Sequence, residues 1–248
     1  VYVLSQFLAL TPGVYAFVRE HLALHPTFPG ILLEPWQLVT YNFLHMGTGF
    51  NGLLHIGFNM LWLFWIGKEY EEMHGSKRMW MLYLVAGVGG GLMCLLLSPI
   101  APGIAGGGAM DIPVYGASAS VLGVIMAVAI LYPYKQIGLL FFGVVRLLWV
   151  VVGFLIIDAL LALTSTGTAV AAHWGGALTG YLFAKEERGA LPIVGSLFGR
   201  TKRSSRSRTE SLSLLDRLER WLGGGDDGDT EPSPTTRMSR SSSSSSSS

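Results

Sequence analysis

The sequence predicts an all-α membrane protein: a six-helix transmembrane bundle with a truncated first helix, followed by a disordered C-terminal tail. Three observations carry this prediction. Half of the 248 residues are hydrophobic and only 13% are charged, against about 25% in a typical soluble domain. Much of the charge falls after Lys185, which leaves the preceding stretch poorer still. Several apolar runs of helical length are separated by turn-forming residues, and the 32 glycines provide small surfaces on which membrane helices pack closely.

The elements follow in order. Val1–Leu10 is apolar but shorter than the roughly 20 residues that cross about 30 Å of hydrocarbon. No basic region precedes it, so the chain is expected to begin inside a transmembrane helix rather than with a signal peptide. Residues 11–51 mix prolines and polar groups with Phe, Tyr, Trp and Leu, the composition of a loop at the membrane interface. Leu53–Ile66 is an apolar helix closed by Lys68 and a Glu-rich turn through Gly75. Met79–Leu97 is the next span, ended by Pro99. Ala101–Tyr115 is a Gly- and Pro-rich loop whose only charge is Asp111. Ser118–Leu131 is a short helix stopped by Pro133 and Lys135. Ile137–Leu163 is long enough to span with a tilt, and Thr168–Ala184 is the last span.

Lys and Arg accumulate on the cytoplasmic side of membrane proteins. Lys68, Lys77 and Arg78 follow the second span, Lys135 the fourth, and Lys185 and Arg188 the sixth, whereas the alternate loops hold only Arg19. Even-numbered helices and the tail therefore end in the cytoplasm, and the long first loop and the Gly-rich loop face outside. Within the tail, residues 209–222 set Leu212, Leu214, Leu215, Leu218, Trp221 and Leu222 among charges, the pattern of a short amphipathic helix. Arg200, Lys202, Arg203, Arg206 and Arg208 are available to anionic lipid. The serine run from Ser241 is low-complexity and disordered.

Polar residues inside membrane helices are expensive and tend to be functional. Three sets stand out: Gly116-Ala117-Ser118-Ala119-Ser120 at the mouth of the fourth helix, Ala172-His173-Trp174-Gly175-Gly176 continuing to Gly180 in the sixth, and His55-Ile56-Gly57-Phe58-Asn59 in the second. In the orientation above, all three lie in the outer half of the membrane. A serine hydroxyl becomes a useful nucleophile when a histidine takes its proton, and attack on a carbonyl creates an oxyanion that needs preplaced donors. Ser118 at a helix N-terminus brings unpaired backbone N–H groups. His55 and Asn59, one turn apart on one face, add side-chain donors. Gly176 and Gly180 form a small ridge that lets the sixth helix approach the fourth.

With these residues in place, the chain resembles a rhomboid intramembrane serine protease. That family carries G-x-S-G in its fourth helix, A-H-x-x-G-x-x-x-G in its sixth and H-x-x-x-N in its second. The corresponding stretches are Gly116 to Ala119, Ala172 to Gly180 and His55 to Asn59. The similarity runs from about Trp36 to Ala184 and includes Trp36-Gln37, Glu71 and Gly75-Ser76. The resemblance implies Ser118 as nucleophile and His173 as general base, with Asn59, His55 and the Ser118 amide stabilising the oxyanion. It implies a dyad without catalytic acid, metal or cofactor, acting on transmembrane or membrane-proximal segments of other membrane proteins. Residues 1–188 would form the protease domain and 189–248 a cytoplasmic tail, in a prokaryotic cytoplasmic membrane. There are two departures. Ala119 stands where the family has its second motif glycine, and Leu122 where it has an aromatic packed on the base, so His173 would be held less firmly.

Plainer readings stand beside these. A Ser or His in a membrane helix can simply bond a neighbouring carbonyl, and His55 can serve to fix the first loop. Ser120 is an alternative nucleophile, but two residues along a helix it points about 200° away from Ser118. Asp158 reads as a structural bond to a neighbouring helix rather than the third member of a triad, and Arg146 as a snorkelling residue. His21, His25, His45 and His74 read as loop residues without the spacing of a metal cage. Two rival functions remain: a catalytically inactive rhomboid-like protein that binds membrane helices, and a transporter or channel. The transporter would more often show polar groups through the full membrane depth, and here they cluster in the outer half. Cys94 is the one cysteine, which excludes an internal disulfide. The net charge of +1 selects no partner, and no nucleic-acid partner is expected.

Overall fold

The structure, a computed structural model, describes residues 11–45, 49–105, 113–139, 143–162 and 170–189. The chain divides into two compact units, residues 1–198 and 199–248, and all described residues belong to the first. The apolar start, the Gly106–Gly108 segment and the tail lie outside the described residues.

The first loop is largely helical. It contains α1 (Pro12–His21), α2 (Gly30–Leu33), α3 (Gln37–Thr40) and a 3-10 turn (Tyr41–Phe43). Pro12 opens α1, where its missing N–H costs nothing. Trp36 and Gln37 explain why so polar a segment stays ordered. The Trp36 indole N–H donates to the His21 carbonyl at 2.8 Å. Buried Gln37 donates to the Glu20 carbonyl at 3.2 Å and accepts from the His25 amide at 2.9 Å. Thr40 donates to the Leu22 carbonyl at 2.7 Å.

The second apolar run folds as α4 (Gly49–Trp62), continues through a π-helical turn (Leu63–Gly67) and ends in α5 (Lys68–His74). Gly75 then reverses the chain at φ 86°, a conformation that favours glycine. Ser76 beside it donates to the Glu71 carboxylate. α6 (Ser76–Leu97) has 22 residues. Among the described residues it is the one helix long and apolar enough by itself to cross a membrane. After the short α7 (Pro102–Ala105) comes α8 (Ser118–Leu131).

The expected fifth span, Ile137–Leu163, divides. Its first part is a hairpin, β1 (Gln136–Leu139) paired antiparallel with β2 (Gly143–Arg146), and only its remainder is helix, α9 (Leu147–Ala162). The β-branched Ile137, Val144 and Val145 favour a strand, and Gly143, the first residue of β2, adopts φ 68°. Arg146 therefore ends a strand, opposite Gln136 and 5.7 Å from the Tyr134 ring, instead of snorkelling from a helix. The last element is α10 (Val170–Glu187).

α6, α8 and α10 pack on one another through backbone. A Cβ on Gly175 would stand 2.6 Å from the Gly89 carbonyl oxygen, and one on Gly123 would stand 2.7 Å from that of Gly176. Gly176 and Gly180 face the backbone of Ala119 and Gly123 just as closely. The outer faces of the helices carry exposed apolar side chains, among them Phe58, Phe64, Trp65, Trp149, Ile157 and Leu160. Such a surface suits hydrocarbon rather than water.

Candidate active site

Ser118 is the first residue of α8, directly after Ala117, with Gly116 before it at φ 131°. The approach to this turn is fixed from three directions. Val114 pairs with Leu24 in the first loop, and the Gly116 amide donates to the Tyr41 carbonyl at 3.0 Å. The Tyr41 hydroxyl donates to the Gly87 carbonyl at 2.6 Å on α6. The backbone conformation favours glycine at 116, and a Cβ there would also stand 3.3 Å from His55 Cε1, a tight approach.

His173, one turn into α10, reaches across to α8. Its Nε2 lies 2.8 Å from Ser118 Oγ. Its Nδ1 lies 2.9 Å from Asp158 Oδ2 on α9. The Phe154 ring, one turn before Asp158, meets the imidazole edge-on at 5.7 Å between centroids. Asn59 is buried on α4 and donates to the His55 carbonyl at 3.0 Å. One amide N–H of Asn59 remains for another acceptor. Ser118, His173, His55 and Asn59 line one cavity of about 440 Å³, closed by apolar residues including Leu122 and Phe154.

Three sequence expectations change. Asp158 does bond a neighbouring helix, but its partner is His173, the residue paired with Ser118. His173 is accordingly not loosely held where Leu122 replaces an aromatic: Phe154 and Asp158 contact it from α9. Phe154 was not singled out in the sequence, where its spacing of four from Asp158 was the available signal. His45 is a loop residue as expected, whereas His74 is the last residue of α5. His45 is buried, its Nε2 has no hydrogen-bond partner among the described residues, and its ring lies 5.6 Å from that of His55. His74 stacks on Tyr70 at 4.3 Å. Ser120 is fully buried and donates to Asn42 Oδ1 at 2.9 Å, away from His173.

Fold and site together define a predominantly helical protein with an apolar exterior and a serine–histidine pair at the N-terminus of one of its helices. A family model, the Rhomboid domain, matches residues 33–185, and the chain belongs to the rhomboid family. It is 38% identical over 66 residues to "Rhomboid protease GluP" of Bacillus subtilis, an alignment covering 27% of this chain and 12% of the relative. It is 28% identical over 182 residues to "Rhomboid protein 1, mitochondrial" of Saccharomyces cerevisiae, covering 69% and 46% respectively. With "RHOMBOID-like protein 4" of Arabidopsis thaliana it shares 38% identity over 63 residues, 25% of this chain and 15% of the relative. The chain thus spans less than half the length of these relatives. Rhomboid family proteins are integral membrane proteins.

Proposed function

We propose that this chain is a serine endopeptidase that cleaves transmembrane or membrane-proximal segments of other membrane proteins. The observation that carries this reading is the 2.8 Å contact between Ser118 Oγ and His173 Nε2 inside an apolar cavity. In the reaction, Ser118 Oγ attacks the peptide carbonyl carbon while its proton passes to His173 Nε2. The tetrahedral oxyanion is met by the Ser118 amide at the positive end of α8, by the remaining Asn59 N–H and by His55. Collapse expels the amine, which takes the proton from His173, and water then hydrolyses the acyl-enzyme by the same route in reverse. No step calls for a metal or cofactor.

A helical substrate has its carbonyls shielded by its own turn, so the scissile segment must unwind to enter the cavity. In the topology that fits this chemistry, six spans place the cavity towards the outer face and the tail in the cytoplasm, with a prokaryotic cytoplasmic membrane as the setting. The experiment is labelling of detergent-purified protein with an alkyl fluorophosphonate probe, comparing wild type with Ser118→Ala, Ser120→Ala and His173→Ala. Labelling should vanish without Ser118, fall steeply without His173 and survive without Ser120. No labelling of folded wild type beside an active serine protease would favour a helix-binding, non-catalytic rhomboid-like protein.

A further inference from the structure

We propose that Asp158 is a positioning residue for His173, so that this chain operates a Ser118–His173–Asp158 array rather than a dyad. The catalytic meaning of the array rests on the serine-protease reading of Ser118 and His173.

Asp158 is only 6% exposed, on the face of α9 turned towards α10. An ionisable side chain buried within an apolar helix is costly unless a partner compensates it. α9 has no other charge, since its remaining residues from Leu147 to Ala162 are apolar. The compensating contact is the 2.9 Å approach of Oδ2 to His173 Nδ1.

The geometry fixes a proton as well as a ring. An ionised carboxylate only accepts hydrogen bonds, so in the proposed array His173 donates through Nδ1–H. The neutral imidazole then carries its lone pair on Nε2, the atom 2.8 Å from Ser118 Oγ. This is the tautomer able to take the serine proton; the other would present an N–H to Ser118 and could not. When Nε2 receives that proton, Nδ1–H stays on the ring and the carboxylate opposes the new imidazolium charge. The proton leaves again from Nε2 to the departing amine, so Asp158 neither gains nor loses one.

Phe154 completes the arrangement. Residues four apart on a helix share a face, so Phe154 and Asp158 meet the imidazole together. The ring contact limits the tilt of the imidazole, and the hydrogen bond limits its rotation.

The test uses the full chain in detergent and two readouts on wild type, Asp158→Asn and Asp158→Ala. The first is the second-order rate of labelling by an alkyl fluorophosphonate, in which the Oγ–P bond forms and fluoride leaves. The second is the tautomer of His173, read from ¹⁵N-histidine NMR and assigned by the signals lost in His173→Ala. Wild type should show Nδ1 protonated and Nε2 bare. Asp158→Asn should label at least about 10²-fold more slowly at an unchanged thermal midpoint, with population moving to the Nε2–H tautomer. Labelling at the wild-type rate in folded Asp158→Asn would overturn the proposal. So would a wild-type His173 protonated at Nε2, a result that stands even if both variants fail to fold. Wild type that does not label at all would defeat the protease reading instead, and the tautomer would still judge Asp158.

Discussion

The backbone of Gly176 runs so near Gly123 that a Cβ built on Gly123 would stand 2.7 Å from the Gly176 carbonyl oxygen. The neighbour is main chain, which cannot swing aside as a long side chain would. Gly123→Ala should therefore cost about 1–3 kcal/mol or more and also slow fluorophosphonate labelling, because the same helix pair sets the distance from Ser118 to His173. Gly153→Ala is the control: nothing lies within 4 Å of its added methyl, and its thermal midpoint and labelling should stay at wild-type values. Equal effects of the two substitutions would show that close approach is not what these glycines provide.

Ser118→Ala and Ser120→Ala should separate chemistry from packing. Ser120 is buried and donates to the Asn42 side-chain oxygen, while the Asn42 main-chain carbonyl accepts from the Tyr83 hydroxyl at 3.1 Å. Loss of the Ser120 hydroxyl leaves a buried amide oxygen short of a donor, at about 1 kcal/mol or somewhat more, with labelling retained. Ser118→Ala should reverse the pattern, with labelling gone and the unfolding midpoint unchanged. A Ser120→Ala protein that is fully stable yet unlabelled would assign the nucleophile to the wrong serine.

His45 predicts a pH dependence of stability. Burial, helped by the neighbouring His55, pushes its pKa down to about 4 from the ordinary value of 6.5. Between those values the unfolded chain binds a proton that the folded chain does not, so stability falls as pH drops from about 6.5 towards 4. His45→Leu removes that part of the slope and also a buried Nε2 that has no hydrogen-bond partner among the described residues. Its midpoint at pH 7.5 should match or exceed wild type, and it should lose less on acidification to pH 5. Midpoints that fall in parallel would show that His45 does not titrate as the buried group described.

The residues of the site were legible in the sequence because polar groups among apolar ones are conspicuous. Ser118, His173, His55 and Asn59 lie on three helices, and the structure gathers them around one cavity. Gly176 and Gly180 were legible by their spacing, but their partners Ala119 and Gly123 depend on how two helices register. Asp158 was visible as a charge, yet its partner was not, since α9 and α10 rotate about their own axes independently of any sequence period. The hairpin at Gln136–Arg146 escaped because a run such as Ile137–Leu163 is apolar throughout. Apolarity alone does not separate strand from helix.

The far end of α10 is tied down by a buried carboxylate, and its removal should be felt as stability alone. Glu187 accepts from Arg78 Nη1 at 2.6 Å and from the Tyr70 hydroxyl at 3.0 Å, joining α5 and α6 to the last turn of α10. The Glu187 side chain is 9% exposed whereas Arg78 is 38% exposed. Water thus still reaches the cation but hardly the anion. Arg78→Ala takes the cation from the carboxylate, leaving it the Tyr70 hydroxyl and His74 Nε2 at 4.0 Å, and should cost about 1–3 kcal/mol, whereas Glu187→Gln, which keeps an acceptor for Tyr70 and removes the charge, should cost less. The double variant should lose less than the sum of the single losses, since a charge that is absent cannot be stranded. Thermal midpoints of the three proteins decide it. The labelling rate per folded molecule should match wild type throughout, because nothing in this cluster touches Ser118 or His173.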